Sequence, residues 1–293
     1  MRYVARAPLC LQLGGDWTDL DGFARAEAGA CLTAAISPYT SGTIARPDNV
    51  GLLRRIRSDR SYVSYSSSVP RDASLGVATA EILVWLALVK TATANTADRR
   101  EIAAVACDIA KFMGIVDGKQ VAYASALGGI EFLTIDDRVD SEEIILPLQA
   151  QQTFRDRLVL AYCGSDRPSV RRDIEKRFAD GDPSVLAGLK EIKRLTEGMR
   201  TALRDLDLAW FASLMTDHAA AQDRVSPTSP GAASLIHLGL SSGAAAAKPI
   251  GDGGSVLFME AAEGGTLRSA LTSAKVRMFD IDLDSYGIYL NKG

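Results

Sequence analysis

The chain has 293 residues, 47% apolar and 24% charged, with a formal net charge of −3. That much apolar sequence can fill one large core or two ordinary ones, and the length favours about two domains. A slightly acidic balance argues against a nucleic-acid or anionic-membrane partner, and the longest apolar run, Ile82–Val89, is too short to span a bilayer.

Arg2–Leu13 alternates and reads as a strand running into a turn, Gly14-Gly15-Asp16-Trp17-Thr18-Asp19, that carries acids and a hydroxyl. Cys31–Ile36 and Tyr39–Arg46 read as further strands joined by Ser37-Pro38. Leu52–Ser58 and Tyr62–Ser67 read as a hairpin turning at Asp59-Arg60-Ser61, so about five strands precede the first helix. Next, the loop Ser74-Leu75-Gly76 runs into a helix so apolar on all sides, through Lys90, that it belongs in a core. Its small-residue turn is open to two readings. It leaves N–H groups facing an anion at the positive end of the helix dipole, or it is a plain cap made by Asp72 or Ser74.

Ala97–Met113 is amphipathic, with Ile102, Val105, Ala106, Ile109 and Phe112 on one face, and Gly114 stands where it should end. Gly118–Leu127 reads as a short helix and Gly128–Asp136 as a strand. Strands followed by helices indicate an α+β arrangement. After a soft boundary near residue 150, Arg157–Tyr162 is an apolar strand. Arg171–Phe178, Val185–Leu203, Leu208–Arg224 and Gly231–Ser241 read as helices, the last after the polar loop Ser226–Pro230. Ser255–Met259 is a strand, Leu267–Ala274 a helix, and Arg277–Leu283 with Gly287–Leu290 supplies the closing strands.

Four cysteines (Cys10, Cys31, Cys107, Cys163) are scattered without paired spacing, which predicts reduced, mostly buried thiols. Together with an opening MRYVARAPL that lacks a signal-like apolar stretch, they lead to the expectation of a cytoplasmic protein. Only two histidines, His218 and His237, are present, so histidine-based metal or triad chemistry is poorly supplied.

Four stretches taken in order resemble the GHMP kinase superfamily (galactokinase, homoserine kinase, mevalonate kinase, phosphomevalonate kinase), nearest its heptose-7-phosphate kinase branch. Ala7-Pro8 through Gly14-Gly15-Asp16-Trp17-Thr18-Asp19 is similar to A-P-G-R-V-N-L-x-G-E-H-T-D. Pro70 through Ser74-Leu75-Gly76-Val77-Ala78-Thr79-Ala80 is similar to P-x3-G-L-G-S-S-x-A. Gly118-Lys119-Gln120-Val121 through Gly128-Gly129 resembles G-K-Q-D-Q-Y-A…G-G, and Ala247-Lys248-Pro249-Ile250-Gly251-Asp252-Gly253-Gly254 resembles A-K-x-x-G-A-G-G-G. The resemblance implies an S5-like domain over residues 1–150 and a ferredoxin-like domain over residues 151–293, with ATP and a sugar between them.

On this resemblance ATP phosphates are expected at Ser74, Leu75, Gly76, Val77, Ala78 and Thr79 and at Gly251, Asp252, Gly253 and Gly254. Mg²⁺ is expected at Thr79 and Asp108. A sugar, sugar phosphate or cyclitol is expected at Gly15, Asp16, Trp17, Thr18, Asp19, Lys119 and Gln120. Trp17 occupies a position where family members place a sugar-facing side chain. A homodimer is open.

Phosphoryl transfer needs a cradled γ-phosphate, charge compensation and an oriented hydroxyl, and this chain departs from the pattern on those points. The hydroxyl-orienting aspartate falls on Val121, the neighbouring glutamine on Ala122 and the motif arginine on Cys10. The magnesium-binding glutamate falls near Ala110, the first glycine of the phosphate loop is Ser74, and Asp252 adds negative charge to the last glycine loop. Asp19, and after it Asp117, are the carboxylates expected to substitute. Two functions stay open: an ATP-dependent small-molecule kinase without the usual base, or a catalytically impaired pseudokinase that binds ligand or regulates. Each motif also has a plainer reading, with Gly14–Asp16 and Gly251–Gly254 as ordinary turns, Lys119 and Gln120 as a solvated helix start, and Lys248 as an exposed helix-end cation. Likewise His218 and His237 are then ordinary helix residues, and Trp85 and Trp210 core anchors.

Overall fold

The computed structural model describes residues 2–45, 63–92, 98–115, 117–164, 170–261 and 266–292. Strand β1 (Arg2–Gly14) pairs antiparallel with β2 (Gly29–Ala45), and the end of β2 pairs with β3 (Val63–Ser67). Beyond β2 lie β4 (Ile130–Ile135) and β5 (Val139–Glu143). On the other side of β1 lies β10 (Tyr289–Lys292), giving the order β10-β1-β2-β4-β5.

Ser37-Pro38 does not divide two strands as expected. β2 is continuous, and its pairing jumps from Pro8↔Tyr39 to Leu9↔Ile36. The extra residues bulge out, as a strand tolerates where another segment holds them, and here Ser37 N–H donates to Asp282 O. The expected strand at Leu52–Ser58 and the turn at Asp59-Arg60-Ser61 lie outside the described residues.

Before the apolar helix the described residues hold three strands, two of the expected ones being continuous in β2, and a short helix that was not expected, α1 (Asp21–Glu27). Seven residues are too few to show a helical period in sequence, yet α1 buries Phe23, whose ring meets Phe178 edge-on at 5.9 Å. Helices α2 (Val77–Ala92), α3 (Arg99–Phe112) and α4 (Lys119–Leu127) follow, with α2 and α4 packed on β1 and β2. Ile102 and Ala106 of α3 are buried as expected, but Phe112 is 92% exposed. The chain leaves the helix at once through Met113 and a left-handed Gly114, so that last turn overhangs the layer.

The second sheet has the order β7-β8-β6-β9, from β6 (Leu158–Tyr162), β7 (Ala244–Ile250), β8 (Ser255–Glu260) and β9 (Met278–Phe279). β7 was not legible: Ala-Ala-Ala-Ala-Lys-Pro-Ile has little strand propensity, and only an edge position, which it has, tolerates the proline. The remaining helices are α5 (Leu148–Arg157), α6 (Val170–Ala179), α7 (Pro183–Arg204), α8 (Leu208–Val225), α9 (Pro230–Ser241) and α10 (Thr266–Ser273). Side chains of Asp182, Asp207 and Ser229 cap α7, α8 and α9, with proline opening α7 and α9. Because α7 packs on β1 and β2 while α8 packs on β7, this helix pair joins the two sheets.

The closing strands need correction. Of Arg277–Leu283 only Met278–Phe279 is strand, with a single bridge from Leu283 to Ile36. The last strand pairs with β1, so the chain's end returns to the first sheet. Trp85 packs partly buried against the core, whereas Trp210 is 40% exposed rather than an anchor.

Candidate functional site

The turn after β1 is fixed from behind. Asp16 is wholly buried, and its carboxylate accepts from Lys248 Nζ at 2.8 Å and from Gly251 N–H at 3.0 Å. Lys248 also donates to Gln12 O at 3.0 Å. It is therefore a fully buried strand residue, not an exposed helix-end lysine. Two buried ions cost several kcal/mol each to desolvate, and only close pairing with satisfied hydrogen bonds offsets that.

His218, also fully buried, accepts from Gly15 N–H at its Nε2 (3.0 Å). Its Nδ1 therefore carries the proton and donates to Gln222 Oε1 at 3.2 Å. Burial first, and the nearby Lys248 charge second, bring its pKa down to about 4. The ring is neutral and structural. Thr18 is likewise turned inward: its hydroxyl lies 2.9 Å from both Gly15 O and Ala30 O, which share its one proton, and accepts from Ala30 N–H. Of the residues expected to meet substrate, Thr18 spends its hydroxyl inside the turn and on Ala30, Gly15 its N–H on His218, and Asp16 its carboxylate on Lys248 and Gly251 N–H.

Asp19 faces the other way. Its carboxylate takes Arg171 Nη1 at 2.7 Å on one oxygen and Gln120 N–H at 3.2 Å on the other. The second contact is a carboxylate at the N-terminus of α4, where orphan N–H groups and the helix dipole favour it. Burial works against the Arg171 charge, but the Asp19 carboxylate outweighs it and holds the guanidinium above its usual range. Arg171 belongs to no motif, and sequence reasoning missed it as a site residue. The only available signal was that a buried aspartate needs a cation, and any of many arginines could have supplied it.

The loop before α2 is clasped on two sides. Cys10 N–H donates to Leu75 O at 3.2 Å. Opposite, Gly254 N–H donates to Ser74 Oγ at 3.0 Å and Ser255 Oγ to Ala73 O at 2.8 Å. A side chain at Gly254 would overlap the Asp72 carbonyl, so the two loops meet backbone to backbone. Gly76, at φ +75°, is closed in as tightly: a Cβ there would overlap Val121. Val121, Cys10 and Ala124 form a small apolar cluster of their own. Burial, reinforced by the Asp117 charge, pushes the Cys10 thiol well above its usual range, so it stays neutral. Leu75 and Val77 are core residues and Ala78 is half-buried.

Two joined hollows result. A cavity of about 60 Å³ is lined by Gln12, Trp17, Ser74, Gln120, Val121, Gly251 and Asp252. It shares Asp117, Gly118 and Arg171 with a cleft of about 690 Å³. The cleft adds Asp19, Asp21, Thr79, Asp108, Ala110 and Lys119, with Lys119 Nζ 3.2 Å from Asp21. Of these two, the cleft has the volume of an ordinary small-molecule site, about 300–1,000 Å³. All four motif stretches reach these hollows. On the cleft wall Thr79 Oγ1 donates to Asp117 Oδ2 at 2.6 Å. A hydroxyl and a carboxylate so placed suit a hard cation that completes its shell with water and phosphate oxygens. Among the described residues no three His, Cys, Asp or Glu side chains form a metal cage, and no helix is long and apolar enough to cross a membrane.

No protein-family model and no curated protein matches this sequence. Solved structures do match over the whole length. A D-glycero-D-manno-heptose 1-phosphate kinase from Bacteriodes thetaiotaomicron matches with a TM-score of 0.74 at 15% identity, over 99% of this chain and 99% of that one. A mevalonate kinase from Methanococcus jannaschii gives 0.73 at 15%, over 96% and 98%. A galactokinase from Lactococcus lactis, complexed with galactose, gives 0.71 at 13%, over 99% and 95%. At such identities the likeness is one of fold.

Proposed function

We propose, from the two-domain GHMP kinase fold of this chain, that it is an ATP-dependent kinase of a sugar, sugar phosphate or cyclitol. The observation that supports this most is the meeting of four separated stretches, at Trp17, Ser74, Gln120 and Gly251, on one cavity that shares Asp117, Gly118 and Arg171 with a ligand-sized cleft. On this reading residues 1–150 carry the phosphate loop and residues 151–293 the glycine loop, with β10 returning to the first body.

ATP bound with magnesium would supply the phosphoryl group and part of its charge compensation. Thr79 and Asp117 would hold the ion, in place of the expected Thr79 and Asp108, because the Thr79 hydroxyl already points to Asp117. The first turn of α2 would present N–H groups to the phosphates. Asp19, held by Arg171 and by Gln120 N–H, would orient the polyol. Positioning would then do most of the work, as it can when reacting groups are held in line.

The Cys10–Val121–Ala124 cluster favours a second reading, a protein that binds the same ligands without turnover. Thermal unfolding with and without Mg-ATP, followed by ATP consumption against a panel of sugars and cyclitols, separates the two. A ligand at a hundredfold its Kd stabilises by about 2.7 kcal/mol. A rise in Tm with turnover that is lost in Asp19→Asn supports the kinase. A rise without turnover supports the binding protein, and no rise at millimolar Mg-ATP removes both.

A further inference from the structure

Phosphoryl transfer to an alcohol leaves a proton to be taken up. The position at which the superfamily pattern carries its hydroxyl-orienting aspartate is apolar here, as Val121 against Cys10 and Ala124. Yet the small cavity that Val121 lines has a carboxylate where the pattern has alanine, at Asp252. Val121 reaches the cavity from α4 and Asp252 from the turn between β7 and β8. Asp252 is half-buried, so it is open to what enters.

The turn that carries Asp252 is fixed on both sides. Gly251 N–H donates to the Asp16 carboxylate, Gly253 N–H to Ile250 O at 2.8 Å, and Gly254 N–H to Ser74 Oγ. Gly251 and Gly253 have left-handed backbones, at φ +49° and +88°, and the residue between them stands at the tip. Ser74, of the loop expected to cradle phosphate, lines the same cavity.

The other charged groups around the tip are engaged. Asp19 lines the cleft but not the small cavity, and Asp117 accepts from the Thr79 hydroxyl on the cleft wall. Behind the turn Asp16 is paired with Lys248 beside neutral His218. Asp72, in the loop that Gly254 abuts, accepts from the Tyr162 hydroxyl, and Cys163 Sγ donates to Gly253 O. Arg171 is the cation among the described residues that line the cavity, and Asp19 holds it.

A carboxylate and a phosphate oxygen both only accept, so Asp252 is a poor partner for the phosphates expected at this loop. Phosphate charge beside a carboxylate favours its protonated form. A group in that position is suited to take a proton, as a general base does.

We infer that Asp252 is the proton acceptor of the transfer, supplied from the turn of the second sheet in place of the aspartate that Val121 lacks. The inference deepens the kinase reading and rests on it. About 60 Å³ admits a hydroxymethyl-sized arm of a polyol whose body lies in the cleft. The oxygen of that arm bonds to the γ-phosphorus of ATP. The bond from the γ-phosphorus to the β–γ bridging oxygen breaks, and its electron pair leaves on ADP. The hydroxyl proton passes to the Asp252 carboxylate and from there to water.

The test compares the full chain with Asp252→Asn and Asp252→Glu. Calorimetry with Mg-ATP at about pH 6, in two buffers of different ionisation enthalpy, reads proton uptake on binding. ATP consumption with the panel of sugars and cyclitols then follows from about pH 5 to 9. The parent should take up more protons than Asp252→Asn, which should bind Mg-ATP at least as tightly. Asp252→Asn should lose turnover about a hundredfold or more at an unchanged polyol KM. It should also lack the parent's fall in rate toward low pH, and Asp252→Glu should recover part of the rate. Proton uptake as large in Asp252→Asn as in the parent overturns the placement beside the phosphates, whether or not the chain turns over. Turnover by Asp252→Asn at the parent's rate overturns the proton acceptor and keeps the kinase. A parent that binds Mg-ATP without turnover removes the kinase and the acceptor with it.

Discussion

Behind two residues that line the small cavity, Gln12 and Val121, stand two buried walls that are opposite in character. Behind Gln12 stands a charged wall, in which Lys248 joins the Gln12 carbonyl to Asp16, and neutral His218 closes the back. Beside Cys10 stands an apolar wall, where the thiol meets Val121 and Ala124. In the superfamily pattern that this sequence resembles, both walls carry charge. The difference teaches that a buried charge needs its partner. Asp16 and Lys248 are kept together, while the positions resembling an arginine and an aspartate, Cys10 and Val121, are both neutral and in contact. Either charge alone would stand unpaired at a site without solvent, which is the costly case.

The comparison is most exposed to attack at Lys248. Lys248→Met strands the Asp16 carboxylate, and breaking a buried pair from one side costs about 3–5 kcal/mol. Urea unfolding should show that loss. Asp16→Asn added to Lys248→Met should restore part of it, and additive losses would mean the two side chains are not coupled.

Protonation attacks the same wall from the other member. Folded His218 has its pKa lowered from 6.5 to about 4, so the unfolded chain takes up the proton more readily. Its stabilising contribution is full above pH 6.5 and is lost as pH falls from there to about 4, with a total of about 3 kcal/mol. The Tm of the parent should therefore fall more steeply over this window than that of His218→Gln. Parallel curves would show that His218 is not held neutral.

The apolar wall is tested by volume. Gly76→Ala adds a Cβ that overlaps Val121 at a left-handed backbone position, and such strain costs about 1–3 kcal/mol. Val121→Ala on top should recover the steric share and leave the backbone share. A Gly76→Ala chain as stable as the parent would mean that the Val121 contact does not define the loop.

Much of this was legible in the sequence, for reasons that also mark where reading stopped. Long periodic segments declared themselves: α2, α7 and α8 lie within a few residues of expectation because each spans several turns of one pattern. Elements set by context did not. Alanine-rich β7 is a strand because β8 lies beside it, and α1 is seven residues long. The motifs identified the stretches that meet at the site but not which side chains face it. Asp16 and Asp19 are three residues apart and look equivalent in sequence, yet one is spent on Lys248 and the other lines the cleft. Arg171 became visible only when Asp19 was seen to need it.

The smallest effect concerns a residue with two candidate roles. Ser74 stands in the loop expected to cradle phosphate, but its Oγ already accepts from Gly254 N–H, which ties that loop to the glycine loop of the second sheet. A hydroxyl has a second lone pair and its own proton, so the tie does not by itself prevent a phosphate contact. Ser74→Ala removes the acceptor and leaves a half-buried N–H, a loss of about 1 kcal/mol. If the hydroxyl is only the strap, the variant loses that stability in urea and keeps its stabilisation by Mg-ATP. If it also meets phosphate, the nucleotide response weakens as well. The strap is the expected outcome, because the oxygen is oriented by Gly254 before any ligand arrives. The Gly254–Ser74 bond would then act beside Ser255 Oγ–Ala73 O as one of two neutral ties between the loops.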